Sequence, residues 1–149
     1  MLRTNMTRAQ YNTVYAMLIL ALSIAVMLGL FIFSNQIKST AVKNIGDRIL
    51  DDISDKVYAS LLDMKVINDR TAVNNLTIII SVPKRVGEQN YIVRGEGGKF
   101  SIRTFGKRSL ETETNTSGLW NVTLAGTAFS QSGKVQMDYM KTSNTVLFS

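Results

Sequence analysis

A chain of 149 residues can hold one domain with its own core plus an appended helix, and little more. It contains neither cysteine nor histidine, which excludes a disulfide framework, soft-metal sites and the common base–nucleophile pairs of covalent catalysis. The formal net charge of +6 is spread thinly: no run of Lys and Arg exceeds two residues, so nothing marks a nucleic-acid surface. The expectation is a non-enzyme with no cofactor, no metal and no nucleic-acid partner.

Met1 to Ala9 forms a short polar leader that carries Arg3 and Arg8 and no acid. From Val14 to Phe33 the run VYAMLILALSIAVMLGLFIF is free of charge. At about 1.5 Å per residue it spans roughly 30 Å of helix, the thickness of a bilayer's hydrocarbon core. The run continues into bulky Phe31, Ile32 and Phe33, unlike the short apolar region and small-residue cleavage site of an ordinary secretory signal. Residues 10–33 are therefore expected to form a transmembrane helix. Bases precede the span without acids, while Lys38 and Lys43 follow it together with Asp47, Asp51, Asp52 and Asp55. Counting bases, this favours a cytoplasmic N-terminus and an extracellular C-terminal part.

Residues 34–65 read as a second, amphipathic helical stretch. Ile37, Ala41, Ile45, Ile49, Ile53, Val57 and Leu61 recur every four residues, and Val42, Leu50, Tyr58 and Leu62 broaden the stripe. No proline falls between Met1 and Ile80, and Gly46 is the only glycine between Gly29 and Gly87. The two stretches are expected to form one continuous helix of about 50 residues. Asp47, Asp51 and Asp55 share a four-residue spacing and read as an exposed polar ridge rather than an acid–base site.

Residues 66–149 read as a β-rich head. Leu76, Ile78, Ile80 and Val82 alternate with Thr77, Ile79 and Ser81 before Pro83 stops the run. Strands at 91–94 and 99–105 flank Gly95-Glu96-Gly97-Gly98, a glycine-rich hairpin turn. The same GEGGK segment lacks Walker spacing and leads into a strand, so it is not a phosphate loop. Lys107 to Gly118 is expected to be a polar loop. Further alternation over Trp120 to Leu124 and Val135 to Tyr139, a turn at Ser130 to Gly133, and Thr145 to Phe148 complete five or six strands. The predicted class is α+β and membrane-anchored: a long N-terminal helix, transmembrane half plus amphipathic half, packed on an up-and-down antiparallel sheet or small β-sandwich head.

Three features of the pattern carry functional expectations. Ala21, Ala25 and Gly29 lie four apart in the span, a small-residue ladder that lets another helix backbone approach closely. Asn75, Asn115 and Asn121 each open an Asn-x-Ser/Thr site and are candidates for N-glycosylation of an extracellular surface. Arg94, Arg103, Lys107 and Arg108 are candidates for contact with acidic glycans or a surface layer.

The leader ends in Arg8-Ala9, followed by Gln10-Tyr11 and the charge-free helix. This resembles the class III signal peptide of archaeal type IV pilin-like proteins. The resemblance implies cleavage by a prepilin-type peptidase between Ala9 and Gln10, leaving a mature chain that keeps its whole span. A long helix followed by a β-rich head is similar in layout as well. Bacterial type IV pilins carry a Glu five residues into the mature chain where this sequence has Val14, so the resemblance is to the archaeal members. It implies a structural subunit of a cell-surface filament, held in membrane lipid before assembly and then packed against copies of itself. The alternative is a single-span envelope protein that does not polymerise, similar to the stator components of the archaellum, whose head grips the surface layer.

Overall fold

The structure, a computed structural model, describes residues 2–71, 73–106 and 109–149, with side chains described from Gln10 onward. The elements run α1 (Leu2–Arg70), β1 (Asn75–Ser81), β2 (Asn90–Glu96), β3 (Lys99–Phe105), β4 (Glu111–Asn115), β5 (Thr123–Phe129), one 3-10 turn (Ser130–Ser132), β6 (Lys134–Met140) and β7 (Thr145–Phe148). The chain divides into two units, Met1–Val42 and Lys43–Ser149.

The helix is continuous, as the absence of proline requires, and longer than expected at 69 residues. It closes five residues beyond Lys65. There the Thr71 amide and hydroxyl both donate to the Ile67 carbonyl, at 2.9 and 2.6 Å, and Arg70 places a positive charge against the helix's negative end. In the first unit every described side chain from Gln10 to Lys38 is exposed, including Leu18, Leu22, Met27 and Phe31. This helix is long and apolar enough to cross a membrane, and none of its most apolar 18-residue stretch is buried.

In the second unit the helix contributes Leu50, Ile53, Val57, Leu61 and Met64 to the core, each at most 1 % exposed. Their spacing of three and four residues holds one face of a 3.6-residue helix. The strict four-residue ladder does not: four residues advance about 400°, so each step drifts about 40° from the last. Hence Ile45, at the start of that ladder in this unit, is exposed, and Ile49 is only partly buried, while Ile37 lies in the first unit. Gly46 lies where the helix meets the chain before β4. A Cβ there would stand 2.5 Å from Leu110 Cδ1.

The strands form one seven-stranded sheet in the order β1-β6-β7-β5-β2-β3-β4. Tyr91, Val93, Phe100, Ile102, Leu124, Ala128, Val135, Met137, Tyr139, Val146 and Phe148 point from one face into the core, which they share with the helix. The order is not up-and-down. β7 turns back from β6 through residues 141–144 and inserts between β6 and β5, which makes it parallel to β5 while every other pair is antiparallel. That insertion needs Gly126, whose φ is +90° and whose added Cβ would lie 2.5 Å from the Phe148 carbonyl oxygen.

Several strand limits also differ from the sequence reading. The β2–β3 hairpin turns on Gly97-Gly98 alone, and Gly95 and Glu96 belong to β2. The expected polar loop after Lys107 contains β4, and β5 starts at Thr123 and runs on to Phe129.

Tyr91 shows how the core treats its few polar groups. Its ring is 1 % exposed, its hydroxyl donates to the Pro83 carbonyl at 2.5 Å, and burial pushes its pKa up to about 12. The folded state thus favours the neutral phenol. Its contribution to stability is complete below pH about 10 and falls as pH rises through 10 towards 12. Tyr91→Phe is expected to cost about 1 kcal/mol at neutral pH through the lost hydrogen bond, and to flatten the alkaline fall in thermal unfolding temperature between pH 10 and 12. Ile53→Ala is expected to cost about 2–5 kcal/mol, and Ile45→Ala less than about 0.5 kcal/mol in chemical denaturation of the head. Equal losses at the two positions would contradict this assignment of the core stripe.

Candidate functional site

Two surfaces carry the features singled out by the sequence. The first is the apolar helix of the first unit. Ala21, Ala25 and Gly29 are all exposed, and nothing lies within 4 Å of a Cβ built at Gly29. At 100° per residue the three span about 80° of the circumference, so they form one narrow strip of low relief flanked by Leu, Met and Phe side chains. Ser23, within the same run, folds its hydroxyl back onto the Ile19 carbonyl at 2.8 Å and so presents no free donor. Gln10 is exposed; the side chains of Arg8 and Ala9, the other two residues of the expected cleavage site, lie outside the described residues.

The second surface is the outer face of β2, β3 and β4. Here the even-numbered residues of β2 and the odd-numbered residues of β3 and β4 point away from the core. Arg94, Lys99 and Arg103 thereby meet Glu96, Glu111 and Glu113 around a shallow depression of about 190 Å³, also lined by Ile92 and Ser101. Lys99 Nζ stands 3.1 Å from Glu113 and Arg94 stands 3.8 Å from Glu96, while Arg103 and Glu111 are register partners.

Among the described residues that line this depression, three bases face three acids. The sequence pattern does not announce the compensating glutamates, because ETETN contains no apolar residue. Its period-two alternation of Glu and Thr was the available signal. Lys107 and Arg108, the other two basic candidates, lie outside the described residues.

On its inner side β4 turns threonines towards the helix. Ser54 Oγ and Thr114 Oγ1 are hydrogen-bonded at 2.7 Å, and Ser54 is 6 % exposed. Beside this seam a cavity of about 410 Å³ is lined by Lys43, Asp47, Asp51, Leu110, Glu111 and Thr112, among others. Asp51 and Asp55 are exposed, and Asp55 does not line the cavity. Among the described residues no group of His, Cys, Asp or Glu is arranged to hold a metal ion.

The three Asn-x-Ser/Thr asparagines are exposed. Asn75 opens β1. Asn115 ends β4 and accepts from both the amide and the hydroxyl of Ser117, at 2.9 and 2.7 Å. The Asn121 carbonyl is held by the Asn144 side-chain amide, just before β5. The structure thus brings none of the three together.

No protein-family model, no curated protein and no solved structure matches the chain.

Because the ion pairs of the outer face are half-exposed, each is worth little. Arg94→Ala and Lys99→Ala are each expected to change stability by less than about 1 kcal/mol, and raising the salt concentration to 1 M should erase the difference from the parent. Chemical denaturation at the two salt concentrations checks both.

Proposed function

We propose that this protein is a pilin-like structural subunit of a cell-surface filament, held in the membrane by residues 10–33 before assembly and packed through that helix afterwards. The observation that supports the reading most is the change of character along one unbroken helix. Its first part, from Val14 to Phe33, is apolar on every side and exposed, and its later part buries one apolar stripe, Leu50 to Met64, against the sheet. An all-round apolar helix needs an apolar surrounding, which lipid provides to a monomer and other helices provide to an assembly.

Leaving lipid for a helix bundle releases little hydrophobic free energy, so close van der Waals packing has to drive the step. The exposed strip of Ala21, Ala25 and Gly29 is the place where backbones can approach most closely. Cleavage after Ala9 would remove Arg3 and Arg8, two charges that resist transfer out of the membrane interface.

Intact mass and N-terminal sequencing of the protein from its native membrane or cell surface test the reading directly. A chain that starts at Gln10 is expected. A chain that still starts at Met1 would overturn pilin-type processing and leave the non-polymerising envelope protein as the better account. Ala25→Leu and Gly29→Leu are expected to abolish filaments seen by electron microscopy while leaving the protein in the membrane fraction. Normal filaments from both variants would remove the packing strip from the proposal.

A further inference from the structure

The two edges of the head sheet are built differently. β4, at one edge, has five residues and points Glu111 and Glu113 outward. Charges and short length are devices that keep an edge from pairing with another strand. β1, at the other edge, has none of them. It has seven residues, carries no charge, proline or bulge, and pairs with β6 in unbroken register from Asn75↔Met140 to Ser81↔Lys134. The nearest charges in sequence are Arg70 and Lys84.

The direction of β1's backbone groups follows from its neighbours. The Lys141 amide donates to the Asn74 carbonyl and the Val82 amide to the Gly133 carbonyl, so the even-numbered residues of this strand bond towards β6. The amides and carbonyls of Asn75, Thr77, Ile79 and Ser81 therefore point away from the sheet, and no hydrogen bond is found for them among the described residues. Beside them Leu76, Ile78 and Ile80 are only partly buried, and Ile79 is 57 % exposed.

These outward groups are symmetric about Ile78. If a second copy of the strand is laid antiparallel with its twofold axis at Ile78, Asn75 meets Ser81 and Thr77 meets Ile79 as hydrogen-bonded pairs, twice over. Every outward amide and carbonyl then has a partner. The same register sets Leu76 against Ile80 and Ile78 against its own counterpart on the core side. No like charges meet, because there are none. A charged partner strand would find nothing on β1 to pair with.

We infer that β1 is a self-pairing edge, through which two copies of this chain join their sheets antiparallel about Ile78. Because the twofold axis stands normal to the sheet, it also reverses the helix stretch Leu50–Met64 packed on it, so the contact joins copies that run in opposite directions and does not itself build the parallel packing of the proposed filament.

The absence of native cysteine makes the register testable in the full-length chain in detergent micelles. At the axis, Ile78 and its counterpart form a non-hydrogen-bonded pair with Cα atoms about 4.5 Å apart, within disulfide range. Residue 75 and its own counterpart lie roughly 20 Å apart, six residues along the strand at about 3.3 Å each. Under mild oxidation Ile78→Cys is expected to convert most of the protein to a band of twice the monomer mass, and Asn75→Cys to leave it monomeric. A mixture of Asn75→Cys and Ser81→Cys chains should cross-link to each other.

Circular dichroism and thermal unfolding of the reduced variants verify that each has folded. A folded Ile78→Cys chain that stays monomeric, equal cross-linking at residues 75 and 78, or capture of a different protein would each overturn the inference.

Discussion

The architecture of the head depends on one contact surface: the helix stripe of Leu50, Ile53, Val57, Leu61 and Met64 against the core face of the sheet. Neither element is stable without it. A sheet with one apolar face must cover that face, and a helix segment of this length has marginal stability of its own in water. Each fully buried Leu, Ile or Val contributes about 1.5–3 kcal/mol, so the stripe accounts for much of what holds the two layers together. Without cysteine, no covalent link supports it. The contact also sets where polarity is tolerated. Ser54 lies within the stripe but faces Thr114 of β4, so a hydroxyl pair closes the contact at that edge where apolar residues close it elsewhere.

How much of this was legible in the sequence depends on whether each feature is local. The absence of proline and the charge-free run made the continuous helix readable, and period-two alternation located β1, β2, β3, β6 and β7 to within a few residues. The helix face was misplaced at its beginning because a strict four-residue ladder follows a line that winds around the helix. Ile45 and Ile53 belong to the same ladder and end in opposite environments. β4 reads as a loop in the sequence because its inward residues are threonines, which supply alternation without hydrophobicity. The strand order was not readable at all. The parallel contact of β5 with β7 depends on Gly126 yielding space to Phe148, a non-local constraint with no periodic signature.

The same distinction applies to the surfaces. Basic residues Arg94 and Arg103 suggested a positive contact face, yet register places Glu96, Glu111 and Glu113 among them. Charge counted along the chain does not report charge across a sheet, because neighbours in space come from three strands. By contrast, the shared strip of Ala21, Ala25 and Gly29 follows from spacing alone, since within a single helix sequence spacing fixes angular position.

Two kinds of unsatisfied surface remain, and they make different demands. The apolar helix of the first unit offers side chains, which attract any apolar surrounding with little directional preference; lipid and neighbouring helices are almost equivalent to it in hydrophobic terms. The edge of β1 offers backbone amides and carbonyls, which are directional and spaced at a fixed interval. Water can satisfy those groups, but it leaves Leu76, Ile78 and Ile80 partly uncovered. Another strand satisfies both at once. A helix with this freedom can therefore move between surroundings without a change of fold, whereas a strand edge commits to one register. In the filament we propose, the non-directional surface suits the passage of the helix from lipid to a helix bundle. The directional one suits a contact that has to be specific.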